Sequence, residues 1–168
     1  VGRATLELTR LGKRIVWRFE GDLYFVIHLM IAGRFQWKAP GVKIPARLGL
    51  ASFDLADASL LLTEAGSSRR ASLHVVSGRD ALAAHDPGGI EVLGVAFEIF
   101  DATLRSENHT LKRALTDPGL FSGIGNAYSD EILHAARLSP MQLTSRLVPE
   151  DARRLFEATQ SVLTRWRD

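Results

Sequence analysis

The 168 residues include no cysteine, so disulfide bonds and thiolate-ligated zinc are both excluded within this chain. Long apolar runs are also missing. The longest, such as residues 23–27, are far too short to cross a bilayer. The opening residues show no signal-peptide pattern, and the expectation is a cytoplasmic, intracellular protein with no membrane partner. The five histidines are scattered without an acidic cluster, so no metal site is expected. Excess charge of either sign is small, at +2. Together with a sequence pI of ≈ 9.3, it permits nucleic-acid binding without requiring it. There is no internal repeat and no low-complexity tract.

Hydrophobic residues are plentiful at 46%, enough for the core of one domain or of two small ones. Residues 1–76 read as β structure. Alternation is weak over residues 4–8 and clearer over 13–20, where apolar and charged residues mix as in a half-buried strand. Further strands are expected over 23–30, 34–37, 48–55, 59–63 and 70–76, divided by glycine- and proline-bearing turns. Short strands with frequent turns suggest a sandwich or a barrel. A short helix is expected over 79–84. His85–Asp86–Pro87–Gly88–Gly89 then breaks any regular element and is the best linker. Beyond it, residues 95–107 and 108–116 look helical, and a last helix begins near Pro149, which suits a first turn. Ala152, Leu155, Phe156, Thr159, Leu163 and Trp166 fall on one face of that helix, a stripe read as core packing.

The helical half is organised around Asp117–Pro118–Gly119–Leu120–Phe121–Ser122–Gly123–Ile124–Gly125–Asn126. Asp117–Pro118–Gly119 stops one helix, because proline lacks an N–H and glycine accepts positive φ. Gly123 and Gly125 allow two tight turns. Asn126 is expected to cap the next helix, which Ser139–Pro140 ends after Leu138. A helix that starts at Gly-x-Gly-Asn presents bare backbone N–H groups able to receive a phosphate. The same string also serves as a plain connector between two core helices.

Gly123–Ile124–Gly125–Asn126–Ala127–Tyr128–Ser129–Asp130–Glu131–Ile132–Leu133 resembles the helix–two-turn–helix of the formamidopyrimidine-DNA glycosylase/endonuclease VIII family. There the stretch reads close to Gly-(Ile/Val)-Gly-Asn-(Ile/Ala)-Tyr-x-(Ser/Asp)-Glu-x-Leu. The resemblance continues upstream in order. Arg10–Leu11–Gly12–Lys13–Arg14 is similar to the family's Arg-x-(Gly/Ala)-Lys-(Tyr/Arg) segment, and His28–Leu29–Met30–Ile31–Ala32–Gly33 to its His-Leu-x-Met-(Ser/Thr)-Gly turn. Ser68–Arg69–Arg70–Ala71 stands at its Asp-Pro-Arg-Arg-Phe-Gly, and residues 86–93 at the link into its helical domain. The implied fold is α+β: an antiparallel β-sandwich belonging to the catalytic domain over 1–84, then a mainly helical DNA-binding domain with a helix–two-turn–helix over 85–168.

The family is one of base-excision repair. The resemblance implies a DNA glycosylase with abasic-site lyase activity on oxidised bases. It further implies a monomer in the nucleoid whose partner is damaged double-stranded DNA. Lys13 matches the lysine that supports elimination and contacts phosphate. Arg69 matches the arginine that fills the gap left by a flipped base, a role open equally to Arg70. Lys112, Gly125 and Asn126 match the residues that hold phosphates beside the lesion. Ile31 and Ala71 stand where the family places its wedge methionine and phenylalanine, so the resemblance does not carry over the mode of base eversion or the opposite-base preference. His28 and Met30 are read as core residues, and Tyr128 and Glu131 as braces of the motif. Family members begin Pro-Glu, with the proline amine as nucleophile, whereas residues 1–2 here are Val-Gly. The chain is therefore expected to be an inactive piece of a longer enzyme, with no cofactor of its own. Zinc is expected only in a C-terminal finger of the parent. The alternatives are a non-catalytic nucleic-acid-binding helix–two-turn–helix protein and a degenerate paralogue that has lost its chemistry.

Overall fold

A computed structural model of the chain describes residues 2–167. It divides into two compact units, Val1–His85 and Asp86–Asp168.

Among its described residues the first unit carries seven strands and one short helix: β1 (Thr5–Leu11), β2 (Arg14–Phe19), β3 (Leu23–His28), β4 (Gly33–Lys38), β5 (Gly49–Asp54), β6 (Ser59–Glu64), β7 (Ser72–Ser77) and α1 (Arg79–Ala83). They form a four-stranded sheet in the order β1-β2-β3-β7 and a three-stranded sheet in the order β4-β6-β5. Every pairing in these two sheets is antiparallel. Residues directly opposite each other in neighbouring antiparallel strands share one face of the sheet, and Trp17 pairs with Phe25. Trp17 of β2 and Phe25 of β3 accordingly meet Phe53 of β5, at ring-centroid distances of 5.5 and 5.8 Å. This contact closes a sandwich, the α+β class expected from sequence.

The second unit holds β8 (Ile90–Glu91), α2 (Phe97–Arg105), α3 (Leu111–Thr116), β9 (Phe121–Ser122), α4 (Asn126–Ala136), a 3-10 turn (Thr144–Arg146) and α5 (Pro149–Arg167). Its core gathers Phe100 and Leu104 of α2, Leu111 and Leu115 of α3, Phe121, Ile124, Ile132 and Leu155. Phe100 is fully buried and packs on Phe121 and Phe156, at 4.9 and 5.4 Å.

Several details differ from the sequence reading. The glycine-rich stretch after His85 is docked. The Gly89 N–H donates to the Pro118 carbonyl, and a Cβ at Gly89 would lie 2.4 Å from that oxygen. This close approach lets β8 pair in parallel with β9, a two-residue bridge too short to leave a periodic signal. Helix α3 starts at Leu111 rather than at residue 108, because Thr110 accepts the Arg113 N–H as its N-cap. On α5, Ala152, Leu155, Ala158, Thr159 and Val162 make the buried stripe, while Trp166 is 58% exposed beyond it.

Phe100→Ala should remove the central ring of the second unit and cost about 3–5 kcal/mol. Denaturant unfolding checks this. A loss under about 1 kcal/mol would show that the ring is not central to that core.

Candidate functional site

In the first unit, strand register brings the sequence-selected residues to one end of the four-stranded sheet. Leu11 pairs with Arg14 across the β1–β2 turn, Ile15 with Ile27, and His28 with Ser72. The turn holding Lys13, the segment that follows β3, and residues 69–71 before β7 therefore share that end.

Each of these loops has its own local cause. Gly12 and Lys13 make a two-residue hairpin turn. Gly12 supplies the left-handed φ of 60° such turns need, and the Arg10 guanidinium donates to the Gly12 carbonyl at 2.7 Å. Lys13 is exposed. After β3 the chain turns over Met30 and Ile31, and the Gly33 N–H closes on the Leu29 carbonyl at 2.9 Å. Only glycine fits at 33, since a Cβ there would lie 2.2 Å from that oxygen. Arg34 clamps the turn by donating to the carbonyls of Ile31 and Gly33, at 3.0 and 2.7 Å.

The turn's contents overturn two readings. Met30 is no core residue: it has a φ of 54° and is 43% exposed. His28 is half-buried at the site's edge. Its Nδ1 accepts the Met30 N–H at 3.0 Å, which puts the proton of the neutral ring on Nε2. Burial, with the Arg14 and Lys13 cations nearby, holds its pKa below the ordinary 6.5. Ile31 stands 86% exposed at the turn's tip, an apolar side chain held in solvent.

Arg69 and Arg70 are both exposed. The Arg69 guanidinium donates to the Arg47 carbonyl. The backbone of Arg70 and Ala71 is held by Glu64, only 2% exposed at the end of β6. Sequence reading passes over Glu64 and Arg34, because an isolated charge at a strand end carries no motif.

In the second unit, Lys112 and Asn126 do meet. The Lys112 ammonium donates to the Asn126 carbonyl at 2.8 Å and to the Asp130 carboxylate. Ser129 is fully buried and donates to the same Asn126 carbonyl at 2.8 Å. Asn126 is not the cap of α4. Gly125 takes that position with extended backbone, φ −120°, and makes no side-chain cap bond. Of the two motif glycines only Gly123 uses a positive φ, 86°. Among the described residues no hydrogen bond engages the Asn126 amide side chain, which leaves it exposed at the helix start. Tyr128 stacks edge-on to Trp166 at 6.1 Å. Among the described residues no cluster of histidine, aspartate or glutamate is placed to hold a metal, and no helix is long and apolar enough to cross a membrane.

A two-layer antiparallel sandwich followed by a helix–two-turn–helix defines a class, and comparison with known proteins gives its relatives. Residues 89–166 match the family described as formamidopyrimidine-DNA glycosylase H2TH domain. The chain is thus similar over nearly its whole length to formamidopyrimidine-DNA glycosylases, whose H2TH domain its second unit matches. It is 34% identical over 170 residues to the formamidopyrimidine-DNA glycosylase of Heliobacterium modesticaldum, covering 96% of this chain and 60% of that protein. It is 32% identical over 167 residues to the protein of the same name from Thermus thermophilus, covering 96% of this chain and 59% of that one. The chain thus spans about 60% of the length of these relatives. Among solved structures, MutM in complex with carbocyclic 8-oxo-G containing DNA aligns with a TM-score of 0.87 at 19% identity, over 98% of this chain and 62% of that one. Lactococcus lactis Fpg with DNA containing an abasic site aligns with a TM-score of 0.87 at 20% identity, over 98% and 61%. At these identities the structures share the fold.

The lowered His28 pKa has a sign. A group that resists protonation when folded contributes stability above its unfolded pKa and loses it as pH falls through the folded value. Urea midpoints are therefore expected to drop on acidification from about pH 7.5 to about pH 5, and His28→Asn should flatten part of that slope. An unchanged slope would remove His28 from the linkage.

Proposed function

We propose that this chain forms the lesion-facing sheet end and the helix–two-turn–helix of a base-excision DNA glycosylase with abasic-site lyase activity on oxidised bases. The gathering of Lys13, Ile31, Arg69 and Arg70 at one end of the four-stranded sheet carries this reading. Glycosylases reach their target by extruding the nucleotide, which leaves a gap to be filled and a kinked backbone to be held. An apolar tip such as Ile31 is the kind of side chain that wedges between unstacked bases. A guanidinium at Arg69 or Arg70 can stack in the gap and donate to the orphaned base. The Lys13 ammonium and the donor at His28 Nε2 suit the phosphates beside the extruded sugar, and Lys13 supports elimination there. In the second unit, Lys112, the Gly125 start of α4 and the exposed Asn126 amide offer a further phosphate seat. Damaged double-stranded DNA is the partner on this reading.

The reaction needs an amine to attack C1′, release the base and leave a Schiff base for β-elimination. The family resemblance puts that amine on an N-terminal Pro-Glu. In these residues the pair occurs only as Pro149–Glu150, in the first turn of α5. The 168-residue chain is therefore expected to bind abasic duplex weakly, with marked salt dependence, and not to cut it. A protein that carries these residues behind an N-terminal Pro-Glu should cut it and should be trapped on it by borohydride. Binding without any trapped complex from such a protein would favour a non-catalytic nucleic-acid-binding module.

Lys112→Ala should lower the slope of log K against log salt by about one unit, because one phosphate contact is lost. Asn126→Ala should weaken abasic-duplex binding without unfolding α4, since its side chain caps nothing. An unchanged slope in a folded Lys112→Ala protein would take that residue out of the phosphate seat.

A further inference from the structure

Glu64 is a buried carboxylate at the end of β6. Its oxygens accept the Arg70 N–H at 2.9 and 3.0 Å, and one of them also accepts the Ala71 N–H at 3.0 Å. The Glu64 N–H in turn donates to the Leu48 carbonyl at 2.8 Å, next to the Arg47 carbonyl that receives the Arg69 guanidinium. Among the described residues no cation is paired with it; backbone N–H groups satisfy the charge. Burying a carboxylate is costly unless it is fully hydrogen-bonded, so this loop is fastened at a point where an apolar residue would otherwise serve. The fastened backbone is that of Arg70 and Ala71, whereas the arginine side chains remain exposed. Residues 65–69 outside the anchor form an exposed loop through Gly66, with φ 109°.

We infer that Glu64 is a positioning residue for base-pair reading: it fixes the backbone from which Arg69 and Arg70 reach the strand opposite an extruded nucleotide. This rests on the proposed glycosylase function. Register supports it, because Glu64 pairs with Gly33 at the foot of the Ile31 turn, and one residue thereby links the apolar tip to the arginine pair. Charge makes the anchor directional. The carboxylate oxygens accept from both amides at once, which an alkyl side chain cannot do.

The test uses the full-length protein and duplexes holding a tetrahydrofuran abasic analogue opposite each of the four bases, with undamaged duplex as control. Glu64→Ala should weaken abasic-duplex binding about tenfold and level its ranking of opposite bases. Undamaged duplex should be bound as before. In an Arg69→Ala/Arg70→Ala background Glu64→Ala should cost nothing further, because a positioning residue acts only through the groups it positions. Glu64→Gln, whose carbonyl still accepts, should restore part of the ranking, and it replaces the alanine variant if that one does not fold. A ranking as sharp as the wild-type protein's in either variant, or a loss of the same size in the double-arginine background, overturns the inference. A wild-type protein with no preference for abasic over undamaged duplex would instead overturn the glycosylase reading, and Glu64 with it.

Discussion

The first unit depends on one constraint: the antiparallel register of β1, β2, β3 and β7. A slip by one residue between β2 and β3 would turn Trp17 or Phe25 away from Phe53 and open the sandwich. The same register decides which loops are neighbours. Core packing therefore sets the geometry of the site. The Lys13 turn, the Ile31 turn and the arginine pair are brought together by residues that face the other way, into the aromatic layer.

Around that frame the loops are held by polar contacts of high specificity. Arg10 holds the Gly12 carbonyl, Arg34 the carbonyls beside Ile31, and Glu64 the amides beneath Arg70 and Ala71. Each is a charged group satisfied by backbone, the stronger kind of protein hydrogen bond. In the second unit Lys112 does the same across its motif, joining the start of α4 to α3. The outcome is a set of exposed side chains on backbones that cannot drift, which is what recognition of a distorted duplex requires.

Much of this is legible in the sequence. Alternating apolar residues and glycine-rich turns mark the strands, and Gly123–Ile124–Gly125–Asn126 marks the motif with its family. Legibility stops where the cause lies outside the local segment. Met30 reads as core because it follows an apolar run, yet the Leu29–Gly33 closure puts it at positive φ and in solvent. Asn126 reads as a cap because asparagine favours that position, but the extended Gly125 takes it. Glu64 carries no signal at all, since its worth comes from amides six and seven residues away that only the loop's path brings near.

The central claim is that these particular loops meet damaged DNA. Backbone amide shifts of the 168-residue chain, followed by NMR during titration with an abasic-analogue duplex, test it most directly. The account predicts that the perturbed amides cluster at Gly12–Lys13, Met30–Ile31 and Arg69–Arg70–Ala71 in the first unit. In the second unit they should cluster at Lys112 and Gly125–Asn126. Shifts confined to the outer strand positions of β7, such as Leu73 and Val75, with those loops silent, would contradict it.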